Sequence, residues 1–247
     1  MLLEDKVTIV TGAAIGIGEG IARLFADQGS HLFLLDRDGA RNVAVATSIL
    51  AVRSAAAFTG DVRDPKAIQT VVTAALEQFG RVDVLVNNAG IYPRQSFIDM
   101  TEAQWDEMQD VNLRSMFHAT KAVLPTMVAR QQGKIINISS VTFHLGSKNL
   151  VHYVASKGGV IGLTRSLARE VGEHNIFVNC ITPGAVQVEA EKQVATEEQL
   201  QAIVDLQSLK RRIVPLDIAR ACLFLASELS DGITGQTLNV DGGWVMY

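Results

Sequence analysis

Between Lys6 and Phe25 the sequence passes from a strand pattern to a helix pattern through little more than a run of glycines. Lys6-Val-Thr-Ile-Val-Thr11 is short, apolar and β-branched, the composition of a strand buried on both faces. Gly12-Ala-Ala-Ile15-Gly16-Ile17-Gly18 follows, after which Ile21, Leu24 and Phe25 recur at helical spacing. A strand that ends in glycines and feeds a helix N-terminus suits an anion, because the backbone can approach closely and the helix dipole favours negative charge. The spacing is Gly-x-x-x-Gly-x-Gly, which departs from the usual Gly-x-Gly-x-x-Gly fingerprint. A structural turn is the competing reading. The strand-helix setting favours a pyrophosphate.

The alternation continues. His31-Leu-Phe-Leu-Leu35 reads as a second strand ending at Asp36-Arg37, and a helix is expected over roughly Gly39–Val52. Ala55-Ala-Ala-Phe-Thr-Gly60 comes next, and Asp64-Pro65 has the form of an N-cap and first-turn proline opening a helix through Phe79. Val82-Asp-Val-Leu-Val86 predicts a fourth strand, ending in Asn87-Asn88-Ala89-Gly90. Strands and helices that alternate with short connections imply one doubly wound parallel sheet with ligands at the strands' C-terminal ends. A carboxylate at Asp36 can accept from both hydroxyls of an adenosine ribose and would repel a 2′-phosphate. Arg37 pulls the other way.

The second half carries the reactive groups. Tyr153 and Lys157, four residues apart, share one face of a helix that continues through Leu163, Leu167 and Val171. A phenol is a poor base at neutral pH, and a neighbouring ammonium favours the phenolate. Upstream, Gly133-Lys-Ile-Ile-Asn-Ile-Ser-Ser140 reads as a buried strand delivering a hydroxyl at its tip. Thr101 is an expected N-cap, Trp105 an expected core residue, and Asn112 a polar residue within an apolar helical run. Asn175–Thr182 predicts a sixth strand, and a packed helix is expected over Leu216–Ala226.

In this order and spacing, these motifs resemble the short-chain dehydrogenase/reductase family over essentially the whole chain, Lys6 to Gly243. The resemblance implies a single Rossmann-fold domain, 1–247, with about seven parallel strands and helices on both faces. It also implies hydride transfer between a nicotinamide and an alcohol or carbonyl. Tyr153 would then be the acid/base and Ser140 would hydrogen-bond the reacting oxygen. Lys157 would lower the Tyr153 pKa and hold the ribose, and Asn112 would distort its helix to keep a water-linked proton path. Cofactor contacts are implied at Gly12, Ile15, Gly16, Ile17, Gly18, Asp36, Arg37, Asp61, Val62, Asn88, Ala89, Gly90, Tyr153, Lys157, Pro183, Gly184 and Val186. NADP-preferring relatives commonly carry a basic residue where this chain has Ala14 and Ile15, so NAD is expected over NADP. Val188 stands where the family often has a threonine that contacts the cofactor.

Tyr92, Thr142, His144 and Gln187 are expected to line the substrate pocket, under a polar helical lid over about 187–212 without a strong apolar face. Asn-Asn-Ala-Gly-Ile-Tyr-Pro and Ile-Thr-Gly-Gln-Thr-Leu are similar to segments of 1-phenylethanol dehydrogenases, and Tyr-Val-Ala-Ser-Lys-Gly-Gly-Val-Ile-Gly to one in pyridoxal 4-dehydrogenases. An NAD-linked alcohol dehydrogenase is the favoured reading. A 3-oxoacyl-acyl-carrier-protein reductase, a sugar or polyol dehydrogenase and a non-catalytic dinucleotide sensor are its rivals. The resemblance further implies a homotetramer.

Composition excludes other classes. With 48% hydrophobic and 19% charged residues the chain is too apolar for disorder. Its net charge of -4, with Lys210-Arg211-Arg212 as the one basic cluster, disfavours nucleic acid. No leader pattern or membrane-length apolar run is present, so a cytoplasmic protein is expected. Ser140 lacks a Gly-x-Ser-x-Gly elbow, His144 and His152 are expected at the surface or the pocket wall, and no metal-ligand spacing occurs. Cys180 and Cys222 read as buried reduced thiols.

Overall fold

The computed structural model describes residues 1–50, 53–189 and 196–246. Seven parallel strands form one sheet in the order β3-β2-β1-β4-β5-β6-β7. They are β1 Val7–Thr11, β2 His31–Asp36, β3 Ala55–Thr59, β4 Val84–Asn87, β5 Gly133–Ile138, β6 Ile176–Pro183 and β7 Thr237–Val240. The connecting helices are α1 Gly16–Asp27, α2 Gly39–Ile49, α3 Pro65–Phe79, α4 Glu102–Gln109, α5 Ser115–Arg130, α6 Thr142–Leu145, α7 Val151–Val171, α8 Glu197–Leu206 and α9 Pro215–Ala226. The chain starts at the sheet's centre, winds out to β3 and returns to β4 beside β1. That reversal opens a crevice at the C-terminal ends of β1 and β4, where such sheets take ligands.

Buried parallel strands have no solvent face, which is why they read as continuous apolar runs. Along β2 the side chains alternate between two cores. Leu32 and Leu34 pack with Ile21, Phe25 and Ile218 on the α1/α9 side, and Phe33 and Leu35 pack with Val71, Val123 and Val178 on the α3/α5 side. The asparagines at the centre of the sheet are paired, as burial requires. Asn87 and Asn137 face each other across β4 and β5, with Asn87 Nδ2 donating to Asn137 Oδ1 at 2.8 Å and Asn137 Nδ2 to Thr164 Oγ1 at 3.0 Å.

Local side-chain caps mark several helix starts. Asp64 caps α3 through the Lys66 N–H, with Pro65 in the first turn, and Thr101 forms a capping box with Gln104 on α4. Trp105 is only half-buried, and Met108 is the buried residue of that short helix. Between α4 and α5, residues Asp110–Arg114 form one π-helical turn. Such turns shift the register of the helix face and recur at functional sites.

Two expectations change in the C-terminal half. Residues 190–195 of the expected lid lie outside the described residues. The remainder, α8, is amphipathic after all, with Leu200 and Val204 buried one turn apart. Its base is tied to the C-terminal Gly242-Gly243 turn through Ser208 N–H to Gly243 C=O at 3.3 Å and Leu209 N–H to Gly242 C=O at 2.9 Å. His152 is 1% exposed and so belongs to the interior, where burial lowers its pKa. Cys180 and Cys222 are buried free thiols. Among the described residues no helix is long and apolar enough to cross a membrane, and no group of side chains could hold a metal ion.

Candidate active site

A cleft of about 590 Å³ runs over the C-terminal ends of the strands. Its first wall is backbone. Gly12 has φ +67°, and a Cβ there would stand 2.8 Å from Ala89 Cα. Gly18 lies closer still, since its Cβ would sit 2.0 Å from the Gly12 carbonyl oxygen. Neither position admits a side chain without moving main chain. Thr11 Oγ1 accepts from the N–H groups of Asn88 and Ala89, and Asn88 Nδ2 donates to the carbonyls of Thr11 and Gly12. The glycine loop and the Asn-Asn-Ala-Gly loop therefore form one rigid lip at the N-terminus of α1. This is a shape that a pyrophosphate fits and a Cβ would fill.

At one end of the lip, both carboxylate oxygens of Asp36 are held by main chain. Oδ2 accepts from the Ala14 N–H at 2.9 Å and Oδ1 from the Asp38 N–H at 2.9 Å. Each oxygen keeps a free lone pair. Arg37, Asp61, Val62 and Arg63 complete this end. Arg63 clasps Asp61 at 2.6 Å, and that hydrogen bond holds the Asp61 carboxyl below its usual range.

At the other end three elements converge. Ser140 follows β5, Tyr153 and Lys157 project from α7, and all three line the cleft. Ser139 Oγ donates to the Lys157 carbonyl at 2.7 Å, fastening α7 to the strand end. Lys157 Nζ donates to the Ile138 carbonyl at 2.8 Å and lies 5.7 Å from the Tyr153 ring centre. Asn112, from the π-helical turn, uses its amide as a clamp, accepting from the Ile91 N–H at 2.8 Å and donating to the Ile91 carbonyl at 2.9 Å. A Cβ on Gly90 would come within 3.2 Å of Asn112 Oδ1 and 3.6 Å of Lys157 Nζ, so the clamp and the lysine meet beneath this loop.

The electrostatics differ from the expectation in one respect. Protein packed around the Tyr153 phenol disfavours the phenolate and raises its pKa, and the hydrogen bond with Ser140 is the main opposing pull. Burial also lowers the Lys157 pKa to about 8. A desolvated ammonium with its own carbonyl partner and only partial charge above that pH is a weak lever on the phenol. Here Ser140 draws the phenol's pKa down.

The cleft takes in Gly12, Ile15, Gly16, Ile17, Asn88, Ala89, Gly90, Pro183, Gly184 and Val186, and Tyr92 and Thr142 at the substrate end. Gly18 does not line it but supports it from behind. His144 and Gln187 are not among the lining residues. His144 is two positions beyond Thr142 on α6, about 200° round the helix, and stacks edge-on with Phe143. Gln187 sits in an extended segment between Val186 and Val188, where alternation turns it outward. Its N–H donates to the Ile213 carbonyl at 2.7 Å. Val188 does line the cleft and presses a methyl toward Gly16. The sequence reading missed Leu150, Leu200 and Ile203, three apolar residues that line the cleft. The spacing Leu200-Ile203-Val204 was the signal, obscured by the many Glu and Gln residues around it.

The comparisons agree with this geometry. Residues 12–245 match the family model described as Enoyl-(Acyl carrier protein) reductase. The chain is 38% identical to the 3-oxoacyl-[acyl-carrier-protein] reductase of Vibrio cholerae, covering all of both chains. It is 39% identical to the D-xylose 1-dehydrogenase of Caulobacter vibrioides, over 98% of this chain and 96% of that protein. The 3-oxoacyl-[acyl-carrier-protein] reductase of Thermotoga maritima is 36% identical over the full length of both. Full-length similarity of this order, on a parallel sheet that brings Ser140, Tyr153 and Lys157 to one end of a dinucleotide-shaped cleft, identifies the chain as an oxidoreductase of the short-chain dehydrogenase/reductase family.

Proposed function

We propose that this protein is an NAD-linked dehydrogenase that interconverts an alcohol with a compact, largely apolar substituent and the corresponding ketone or aldehyde. The observation that carries the cofactor choice is Asp36. Its carboxylate is fixed by two main-chain N–H groups at the adenosine end of the cleft, with lone pairs left for the ribose hydroxyls and a charge that repels a 2′-phosphate. When bound, the nicotinamide supplies hydride acceptance or donation.

The chain's own groups handle the proton. In the carbonyl-to-alcohol direction, Tyr153 donates to the substrate oxygen, a role that suits a phenol kept protonated by burial. Ser140 hydrogen-bonds the same oxygen and stabilises charge developing there. In the reverse direction Tyr153 accepts the hydroxyl proton, and that direction therefore gains with rising pH.

The substrate wall supports the apolar class. Ile91, Leu150, Leu200 and Ile203 line the cleft beside Tyr92. A sugar placed against such a wall leaves hydroxyls without partners, which costs more than an apolar group gains. A second reading, reduction of a 3-oxoacyl chain, draws on the relatives of that name and on the same apolar wall.

The test is turnover of purified protein with NAD or NADP against aromatic, aliphatic and sugar alcohols and their carbonyl partners, followed by reduced-nicotinamide absorbance. NAD-linked activity on apolar secondary alcohols is expected. NADP-linked activity on 3-oxoacyl thioesters alone would overturn the reading in favour of the second, and turnover of sugars alone would overturn the substrate class.

A further inference from the structure

A serine hydroxyl has one proton to give and two lone pairs to fill. At Ser140 two donors already point at Oγ, and both come from Thr142: its N–H at 3.2 Å and its Oγ1 at 3.0 Å. The arrangement is held by main chain on both sides. The Val141 N–H donates to the Pro183 carbonyl at 3.0 Å, the Phe143 N–H to the Ser140 carbonyl at 3.3 Å, and the Gly146 N–H closes α6 onto the Thr142 carbonyl at 2.9 Å. Thr142 opens α6, so its N–H is one of the donors a helix start leaves without an intrahelical acceptor. Ser140 Oγ accepts it.

We propose that Thr142 is a positioning residue for catalysis: by occupying both acceptor sites of Ser140 Oγ, it makes that hydroxyl a donor only, its single hydrogen bond going to Tyr153 before substrate binds and to the reacting oxygen once substrate is in place. The proposal rests on the roles given above to Ser140 and Tyr153 and goes beyond them, because a place in the cleft lining alone would make Thr142 a substrate contact. A serine free to rotate could instead accept a hydrogen bond from the substrate alcohol and compete with Tyr153 for that hydrogen. It would then offer nothing to an oxygen gaining negative charge. With its lone pairs filled, Ser140 can only donate, and the chain Thr142 to Ser140 to Tyr153 polarises in one direction. The pull of Ser140 on the Tyr153 phenol, which opposes burial, fits this direction.

Thr142→Val deletes the hydroxyl while keeping shape and the N–H, Thr142→Ser restores the hydroxyl, and Thr142→Ala repeats the deletion without a β-branch should the valine variant fold poorly. Two readouts apply. The first is kcat and KM with whichever members of the alcohol and carbonyl panel the wild type turns over. The second needs no substrate. It is an ultraviolet tyrosinate titration with Tyr153→Phe as the blank, feasible because the chain has three tyrosines. In Thr142→Val, kcat should fall by about 10- to 100-fold on every substrate, somewhat less than deletion of a direct oxyanion donor costs. KM should stay near wild type, the Tyr153 titration should move to higher pH, and Thr142→Ser should return both. Wild-type kcat and titration in Thr142→Val would overturn the proposal. So would a KM effect that varies from substrate to substrate with an unmoved titration, the mark of a substrate contact. If nothing in the panel is turned over, the functional reading fails by itself, and the titration alone decides the role of Thr142.

Discussion

The two ends of the cleft are made of different material. At the dinucleotide end the shape is main chain: two glycines that admit no Cβ, a threonine hydroxyl bridging two amides, and a carboxylate pinned by two more. At the substrate end it is side chain: beside Ser140 and Tyr153 stand Leu150, Leu200 and Ile203, which could be exchanged without moving main chain. A site built from backbone tolerates almost no change and does one thing. A wall built from side chains can be rewritten while the sheet stays put, so proteins at similar identity to this chain can be named for a 3-oxoacyl thioester in one case and a pentose in another.

The sharpest separation of the two ends is Tyr153→Phe. Loss of the proton donor should lower turnover by about 10³-fold, within the range that general acid–base groups contribute. NADH binding, measured by fluorescence titration, should stay within about twofold. Residual activity near wild type would remove the acid/base assignment. In the wild type, burial that keeps the phenol protonated should make alcohol oxidation climb with pH well into the alkaline range, while carbonyl reduction holds or falls.

Gly18→Ala attacks the other end. The new Cβ meets the Gly12 carbonyl oxygen at 2.0 Å, and main chain has to move. NADH affinity should drop about 100-fold or more, with Tm lowered by a strain of a few kcal/mol. Wild-type affinity would show that the glycine loop is not the dinucleotide's seat.

This division also governs what could be read from the sequence. Gly12, Gly18, Asp36 and the Asn87–Gly90 run announce themselves because backbone geometry leaves few residue types able to do their work. Asp64-Pro65 and Thr101 are equally legible, since a cap is a local device. Thr142, His144 and Gln187 looked equivalent in sequence, and a four-residue helix and a short extended segment sorted them by a face no local pattern reveals. Asn112 stood out in sequence as a polar residue in an apolar run, but its grip on Ile91 depends on a loop 21 residues away in sequence. Lys157 is a related case: residue spacing gives its proximity to Tyr153 but does not give the burial that raises the phenol's pKa and lowers the ammonium's.

Burial of Lys157 makes a stability prediction with a definite sign. Its pKa is lowered from 10.5 to about 8, so the folded protein bears the cost of a buried ammonium at neutral pH, about 3 kcal/mol. That cost is fully present below about pH 8 and is lifted as pH rises toward 10.5. Lys157→Met abolishes the cost and also leaves the Ile138 carbonyl without its donor, a loss of about 1–3 kcal/mol. By urea denaturation the variant should therefore be as stable as wild type or slightly more so at pH 7, and should fall behind as pH approaches 10. A pH-independent difference would mean that Lys157 is not titrating in this window.

The smallest expected effect probes the wall itself. Ile203 lines the cleft from α8 and is only half-buried, so truncating it to alanine removes part of an apolar surface, worth about 1 kcal/mol. Because that contact is made equally before and during reaction, the loss should appear in KM, raised about 3- to 10-fold for apolar alcohols, with kcat nearly unchanged. Sugar alcohols supply the contrast. If the substrate end is an apolar wall, they gain nothing from Ile203 and their kinetic constants should not move. A KM increase shared equally by sugars and apolar alcohols would mean that α8 acts by covering the cleft and not by recognising what lies in it, and the distinction drawn between a fixed dinucleotide end and a selective substrate end would then stop at Tyr153.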